Sequence, residues 1–294
     1  MKTRTYQFTL GEYQGFALYD NAQVHDVEEL VVDPEVEQLE RLSNEYRFNL
    51  NEITVGYNNL LLRTRDQNIL VDAGIRRPIG ELCIGLEVLN IHPGDIDTIV
   101  ITHSDRDHIG GILDQRGEIS FPKARYILLE DAWRHWSSQK SRAELTRLNQ
   151  WSEYKTQFIW ETYSKIEDLI HFVKAGEEFI PGLRLYPAPG HRYDHSVLKV
   201  SSSNDQLMHI ADALAHPLFM GNREWYSTYD ANPTQVVDTK IKILNMCASD
   251  NSLVFAAHFP FPALGYVQRS GERWKWLPIN VREGKINETA KPIS

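Results

Sequence analysis

The stretch Thr102–Gly111, THSDRDHIGG, constrains this chain more than any other. It follows an apolar strand-like run, Thr98–Ile101, and leads into IGGIL, which reads as a helix start. His103, Asp105, Asp107 and His108 fall within six positions. A turn between strand and helix can aim side chains at that spacing toward one centre, which a strand or a helix alone does not do. Imidazole and carboxylate together form a ligand set for Zn, Fe or Mn. Three further candidates each stand just past a predicted strand: His191 in PAPGH, Asp212 in HIADAL and His258 in VFAAHF. Seven ligands from four strand ends fit a two-metal site that shares one carboxylate. The chain must therefore fold so that several strand ends meet at one edge.

The surrounding pattern supplies those strands. Runs at 60–63, 69–71, 124–129, 183–186, 196–200, 207–210 and 253–256 predict strands, and the first fifty residues read as hairpin strands and a loop. Strands both adjacent in sequence and alternating with helices predict a layered α/β architecture. Residues 130–172 differ in character: they are polar, lack Gly and Pro, and carry Trp133, Trp136, Trp151 and Trp160. They predict a pair of amphipathic helices burying the indoles, with a lid or a homodimer face as the alternative. The chain has no internal repeat, and its 294 residues predict one domain over 1–294.

Composition narrows the function classes. A formal net charge of −9 argues against binding a phosphate backbone, so no nucleic-acid partner is expected. No apolar run is long enough for a membrane span, and no apolar stretch follows the basic residues of the amino terminus as a secretory signal requires. The only cysteines, Cys83 and Cys247, exclude a disulfide scaffold and a thiolate zinc cluster and fit a reducing cytoplasm. There is no G-x-S-x-G elbow, P-loop or G-x-G-x-x-G after a strand to compete as a catalytic centre.

With Ile69–Gly74 (ILVDAG), Pro189-Gly190-His191 followed by His195, and the closing AAHFPFPALGYVQRSGERWKWLP, the pattern resembles the metallo-β-lactamase superfamily. The closing stretch resembles the branch that includes methyl parathion hydrolase. The resemblance implies a four-layer αββα sandwich, two divalent metal ions (zinc in the first place), a small-molecule substrate, and hydrolysis of an ester or lactone, with phosphotriesters ranked below. It assigns His103, His191 and position 105 to the first metal, Asp107, His108 and His258 to the second, and Asp212 to the bridge. Asp107 would orient the nucleophile, and Asp72 would orient a ligand histidine by accepting its remote N–H.

One departure stands out: the family has His where this chain has Asp105. Three readings are open. Asp105 ligates and shifts the preference toward Fe or Mn; it fails to reach, leaving the first site weak; or it only caps the following helix. The first reading makes a diiron oxidoreductase or dioxygenase the rival function, and the second a metal-depleted binding protein. Elsewhere, His195 is either a hydrogen-bond partner within the site or a turn residue, and His216 either lines the pocket or packs in the core. Trp225 and Tyr226, with Phe259 and Phe261, are expected as an apolar pocket wall, and Gly110 and Gly111 as close packing at the helix start. His25, His92, His135, His171 and His209 are read as ordinary surface or core residues.

Overall fold

The computed structural model describes residues 5–46, 48–137 and 153–279. Among the described residues, fourteen strands form two seven-stranded mixed sheets, each laid out in chain order. The first holds β1 (Thr5–Leu10), β2 (Tyr13–His25), β3 (Ile53–Arg63), β4 (Asn68–Val71), β5 (Thr98–Val100), β6 (Arg125–Leu129) and β7 (Ile170–Val173). The second holds β8 (Glu178–Ile180), β9 (Leu183–Pro187), β10 (Ser196–Ser202), β11 (Asp205–His209), β12 (Leu253–Phe255), β13 (Leu264–Ser270) and β14 (Arg273–Pro278).

The α-helices of the described residues are α1 (Val27–Leu30), α2 (Val36–Tyr46), α3 (Leu82–Val88), α4 (Arg106–Ile109), α5 (Glu130–Ser137), α6 (Glu153–Ile166) and α7 (Pro233–Asp250). The two sheets share one buried apolar core, to which the helices contribute residues such as Leu86, Trp136, Tyr163 and Leu244, and the architecture is the αββα sandwich. No helix among the described residues is long and apolar enough to cross a membrane.

Burial explains the strand sequences. In the first sheet β4, β5, β6 and β7 pair in parallel, whereas β1 to β4 are antiparallel. Central parallel strands are covered on both faces, so they read as unbroken apolar runs such as ILV and TIV. β11 and β12 are also parallel, so the loops leaving them emerge at the same edge. The carboxyl ends of β5, β11 and β12 and the β9–β10 connection carry the predicted ligands. Long α7 begins with Asn232, whose side chain accepts the Gln235 N–H, followed by Pro233 at the first helical position.

Two local expectations change. IGGIL does not begin a helix: α4 stops at Ile109, and Gly110–Ile112 is a 3₁₀ turn. The reason is crowding. A Cβ on Gly111 would stand 2.1 Å from the Ala73 carbonyl oxygen, and the Gly111 N–H bonds to the Gly74 carbonyl at 2.9 Å. The glycines thus lay this turn directly against the Asp72–Gly74 backbone. Residues 130–172 are likewise not helical throughout. After α6 the segment ends in β7, because Ile170, Phe172 and Val173 pair beside β6. Trp136 is buried, and Trp133 and Trp160 are partly buried against the core, whereas Trp151 lies outside the described residues.

Candidate metal centre

The turn after β5 presents His103, Asp105, Asp107 and His108, and the other sheet brings His191, Asp212 and His258 to face them. Asp212 is the hub. Its carboxylate lies 2.8 Å from His258 Nε2, 3.0 Å from His108 Nε2, 3.3 Å from His191 Nε2 and 3.6 Å from His103 Nε2. Two groups could each hold a cation: Asp107, His108, Asp212 and His258 in one, and His103, His191 and Asp212 in the other. Ligands about 2.0–2.1 Å from a tetrahedral ion sit roughly 3.4 Å apart, close to most of these separations.

The donor atoms are also without better partners. His103 Nε2, His108 Nε2 and Asp212 Oδ1 are fully buried and make no hydrogen bond, although His108 Nε2 and Asp212 Oδ1 are 3.0 Å apart. Buried polar atoms are ordinarily satisfied, so a cluster of orphans aimed at one point fits a cation.

The remote nitrogen of every imidazole is held. His108 Nδ1 lies 2.7 Å from Asp72 Oδ2, His191 Nδ1 2.8 Å from Asp230 Oδ1, His258 Nδ1 2.8 Å from the Gly56 carbonyl, and His103 Nδ1 3.0 Å from Thr102 Oγ1. A carbonyl or carboxylate can only accept, so Nδ1 of His108, His191 and His258 carries a proton and Nε2 points inward, its lone pair open to a cation that displaces any proton there. Asp72 has a left-handed φ of 59° and also accepts the Thr102 N–H and hydroxyl. His195 proves to be a partner within the site. Its Nδ1 donates to the Ala188 carbonyl, and its Nε2 accepts the Asp212 N–H at 3.0 Å, pinning the hub's backbone.

Gly190 makes the His191 turn possible. Its φ is 134°, and a Cβ there would stand 2.4 Å from the Val236 nitrogen, so only glycine lets the turn touch the start of α7. The same packing brings Asp230, at the approach to α7, under His191.

The structure separates the readings of Asp105. It occupies the position before α4, but its side chain makes no capping bond, so the capping reading is set aside. Oδ2 lies 3.3 Å from His191 Nε2 and 3.8 Å from His103 Nε2, within the ring of donors. Both oxygens, however, meet Arg192: Nε donates to Oδ1 at 2.9 Å and Nη2 reaches Oδ2 at 2.6 Å.

Several pocket assignments are corrected. His216 does not line the main cavity; it is buried edge-on to Phe48, and its Nδ1 accepts the Leu218 N–H. Burial lowers its pKa to about 3. Phe259 packs against Trp276 in the core. Trp225 and Tyr226 border a water-sized space of about 10 Å³ beside Asp212, and Phe261 meets Tyr19 edge-on and does not line the main cavity. Apolar residues beside a site motif are drawn into the sandwich core when their strand phase points inward.

The open cavity over the cluster, about 180 Å³, is walled by Leu30, Val55 and Ala215 and by the polar Gln23, His25, Tyr57 and Tyr229. Sequence reasoning missed these polar residues, along with Asp230 and Arg192. His25 in particular is a pocket residue. The one local signal was Arg192 next to His191; the rest lie on β2, β3 and loops far away in sequence.

Electrostatics holds the donor set together. Burial disfavours the charge on Asp212, but His108, His258 and His103 override it and hold the carboxyl well below its usual range. Burial likewise works against protonation of His108, yet Asp212, Asp107 and Asp72 raise its pKa well above the ordinary value. His258 is raised by Asp212 and Asp107 against the same opposition from burial. His191 reaches about 9: burial and Arg192 oppose the charge, and Asp105, Asp230 and Asp212 favour it.

His191 therefore holds a proton at neutral pH in the metal-free protein, the carboxylates favour one on His108 and His258 as well, and a cation must displace them. Adding zinc to the metal-free protein in weakly buffered solution at pH 7 is expected to release protons. Zinc affinity should then rise with pH through about 9, where His191 loses its proton unaided. Uptake with neither proton release nor pH dependence would contradict this donor set.

The chain is similar to known proteins in sequence and in fold. The sequence profile of the metallo-beta-lactamase superfamily matches residues 54–258. Probable metallo-hydrolases of Mycobacterium tuberculosis and Mycobacterium bovis are each 26% identical over 196 residues, 60% of this chain. The match spans 58% of the length of those relatives.

Among solved structures, the hydrolase AbOPH of the beta lactamase superfamily is similar with a TM-score of 0.87 at 22% identity, covering 96% of this chain and all of that one. AidC, a dizinc quorum-quenching lactonase solved with N-hexanoyl-L-homoserine, gives 0.84 at 23% identity, covering 95% and 98%. A probable metal-dependent hydrolase from Staphylococcus aureus gives 0.72 at 20%, covering 94% and 99%.

Proposed function

Because this chain belongs to the metallo-beta-lactamase superfamily, we propose that it is a metal-dependent hydrolase that cleaves a carboxylic ester or lactone with a compact apolar body. The observation that carries the reading is Asp212, one carboxylate within 3.6 Å of all four imidazole Nε2 atoms. His103, His191 and Asp212 would hold one divalent ion, and Asp107, His108, Asp212 and His258 a second, with zinc the first choice. When bound, such ions supply Lewis acidity and lower the pKa of water toward neutrality.

The chain's own groups do the rest. Asp107 is the carboxylate of its group that faces the cavity, with its side chain 23% exposed. Burial opposes its charge, but His108 and then His258 keep its carboxyl low, so it is ionised and can orient a nucleophile and take a proton on Oδ. Leu30, Val55 and Ala215 exclude water from one side and match an apolar acyl or alkyl group. Burial raises the Tyr57 hydroxyl's pKa, and Asp107 adds to it, so it stays protonated. Its Oη donates to Gln23 Oε1 at 2.9 Å at the cavity wall, where both can turn to a substrate carbonyl or leaving oxygen.

The carboxylate that motivated the oxidoreductase reading does not bring its full charge to the centre, since Arg192 pairs with it. Hydrolysis is the better reading on that ground. The test is a panel of aryl esters, lactones and phosphotriesters offered to zinc-loaded protein. Turnover of an ester or lactone above any phosphotriester, abolished by a chelator and restored by metal, is expected. Zinc-loaded protein that hydrolyses none of the panel would sink the reading.

A further inference from the structure

We infer that Arg192 acts as a built-in cation for Asp105, leaving the His103–His191–Asp212 half-site with three free donors and a weaker hold on its metal than the other half-site. This rests on the metal reading above and goes beyond it by ranking the two halves. The geometry is specific. Arg192 Nε and Nη2 grip the two Asp105 oxygens at 2.9 and 2.6 Å, the planar fork-to-carboxylate arrangement that only arginine makes.

The guanidinium is itself fixed, with Nη1 donating to the carbonyls of His191 and Tyr229, and it is buried. The fork occupies Asp105 at the place where a ligand would stand, 3.3 Å from His191 Nε2. An Asp–Arg pair is also neutral overall, as a single unprotonated imidazole would be. The site therefore gains no net negative charge from Asp105 to help hold a second cation.

Among the described residues, no arginine or lysine pairs with Asp107 or Asp212 in the other half-site. Asp107, His108, Asp212 and His258 form a four-residue donor group, whereas the first group lacks Asp105. Arg192 is thus a positioning residue that sets metal stoichiometry. At limiting metal the chain holds one ion, and the second is exchangeable and follows the free concentration.

The experiment is metal content per chain by elemental mass spectrometry, after zinc loading and dialysis against graded concentrations of a chelator. It is paired with a zinc titration followed by heat. Wild-type protein is expected to show two steps at least about tenfold apart in affinity and to retain about one equivalent at intermediate chelator. Arg192→Ala should free Asp105 and close that gap, retaining about two equivalents under the same conditions.

If Arg192→Ala does not fold, Arg192→Gln removes the charge while keeping a donor for the two carbonyls, and the same result is expected of it. Two equivalents held with equal affinity by wild-type protein would overturn the inference, and so would a weaker second step in the Arg192 variants. The latter would mean that Arg192 supports Asp105 as a ligand. Wild-type protein that retains no metal at any chelator concentration would instead defeat the metal reading itself, so the two failures are distinguishable.

Discussion

Asp212→Ala is expected to lower hydrolysis by at least about a thousandfold, roughly 4 kcal/mol of transition-state stabilisation, and to reduce metal content at both half-sites together. Asp212 is the only residue common to the two donor groups. Removing its carboxylate leaves His108 and His258, both raised in pKa against burial chiefly by Asp212, facing each other without the charge that holds them. The methyl group that remains can neither accept a hydrogen bond nor ligate. The fold should persist, because Asp212 is held through its backbone N–H on His195 Nε2, which alanine retains. Metal analysis, circular dichroism and the ester assay on one preparation check the result. A variant that keeps two metals and its activity would show that the hub has been misassigned.

The second large effect is expected at Asp194→Ala, on stability. Asp194 is buried between the motif and the tryptophan-rich helices, and its Oδ2 accepts from Ser104 Oγ and, at 2.7 Å, from Trp136 Nε1 on α5. Ser104 sits between His103 and Asp105 and is also bonded to Tyr163 Oη on α6 at 2.7 Å. Truncation removes the acceptor of the indole N–H, at about 1–3 kcal/mol, and leaves the Ser104 hydroxyl with Tyr163 alone, at about 1 kcal/mol, so roughly 2–4 kcal/mol in all. That corresponds to a fall in Tm of about 5–15 °C for a chain of this size. Asp194→Asn, which keeps an acceptor oxygen, should lose less than half as much. Thermal unfolding of the two variants is the check, and an alanine variant within about 1 °C of wild type would remove this bridge from the account.

The bridge also gives the helices a definite task. Trp136 helps set the backbone on which His103 and Asp105 stand, so damage at Asp194 should also reduce retained metal.

Much of the site was legible in one dimension. A ligand must be His, Asp, Glu or Cys, and a turn after a parallel strand is where such residues can converge. THSDRDH after TIV, His191, Asp212 and His258 could therefore be read from residue type and from the end of each apolar run. The strands were readable for a related reason: central strands buried on both faces have to be continuous apolar runs. Edge features were less visible. β7 followed a helical pattern without a break, and the long α7 was announced only by Asn232–Pro233.

What surrounds each ligand was decided by packing between distant segments. The sequence resemblance placed Asp72 behind a ligand histidine, but the sequence carries no sign that Asp230 backs His191, that Gly56 backs His258, or that Asp194 ties α5 to the motif. These partners lie 39 to 202 residues apart, and which atoms meet depends on φ and ψ at turns such as Gly190 and on how the sheets stack. The same holds for the residues read wrongly. Phe259 beside His258 and His216 after Asp212 looked like pocket residues by proximity, yet their side chains point into the core. Asp105 is the sharpest case. Its residue type and spacing allowed a ligand, an idle carboxylate or a helix cap, and only the fold brings the Arg192 fork onto both its oxygens. Residue chemistry determined which groups could bind a cation, and tertiary structure determined which of them already has one.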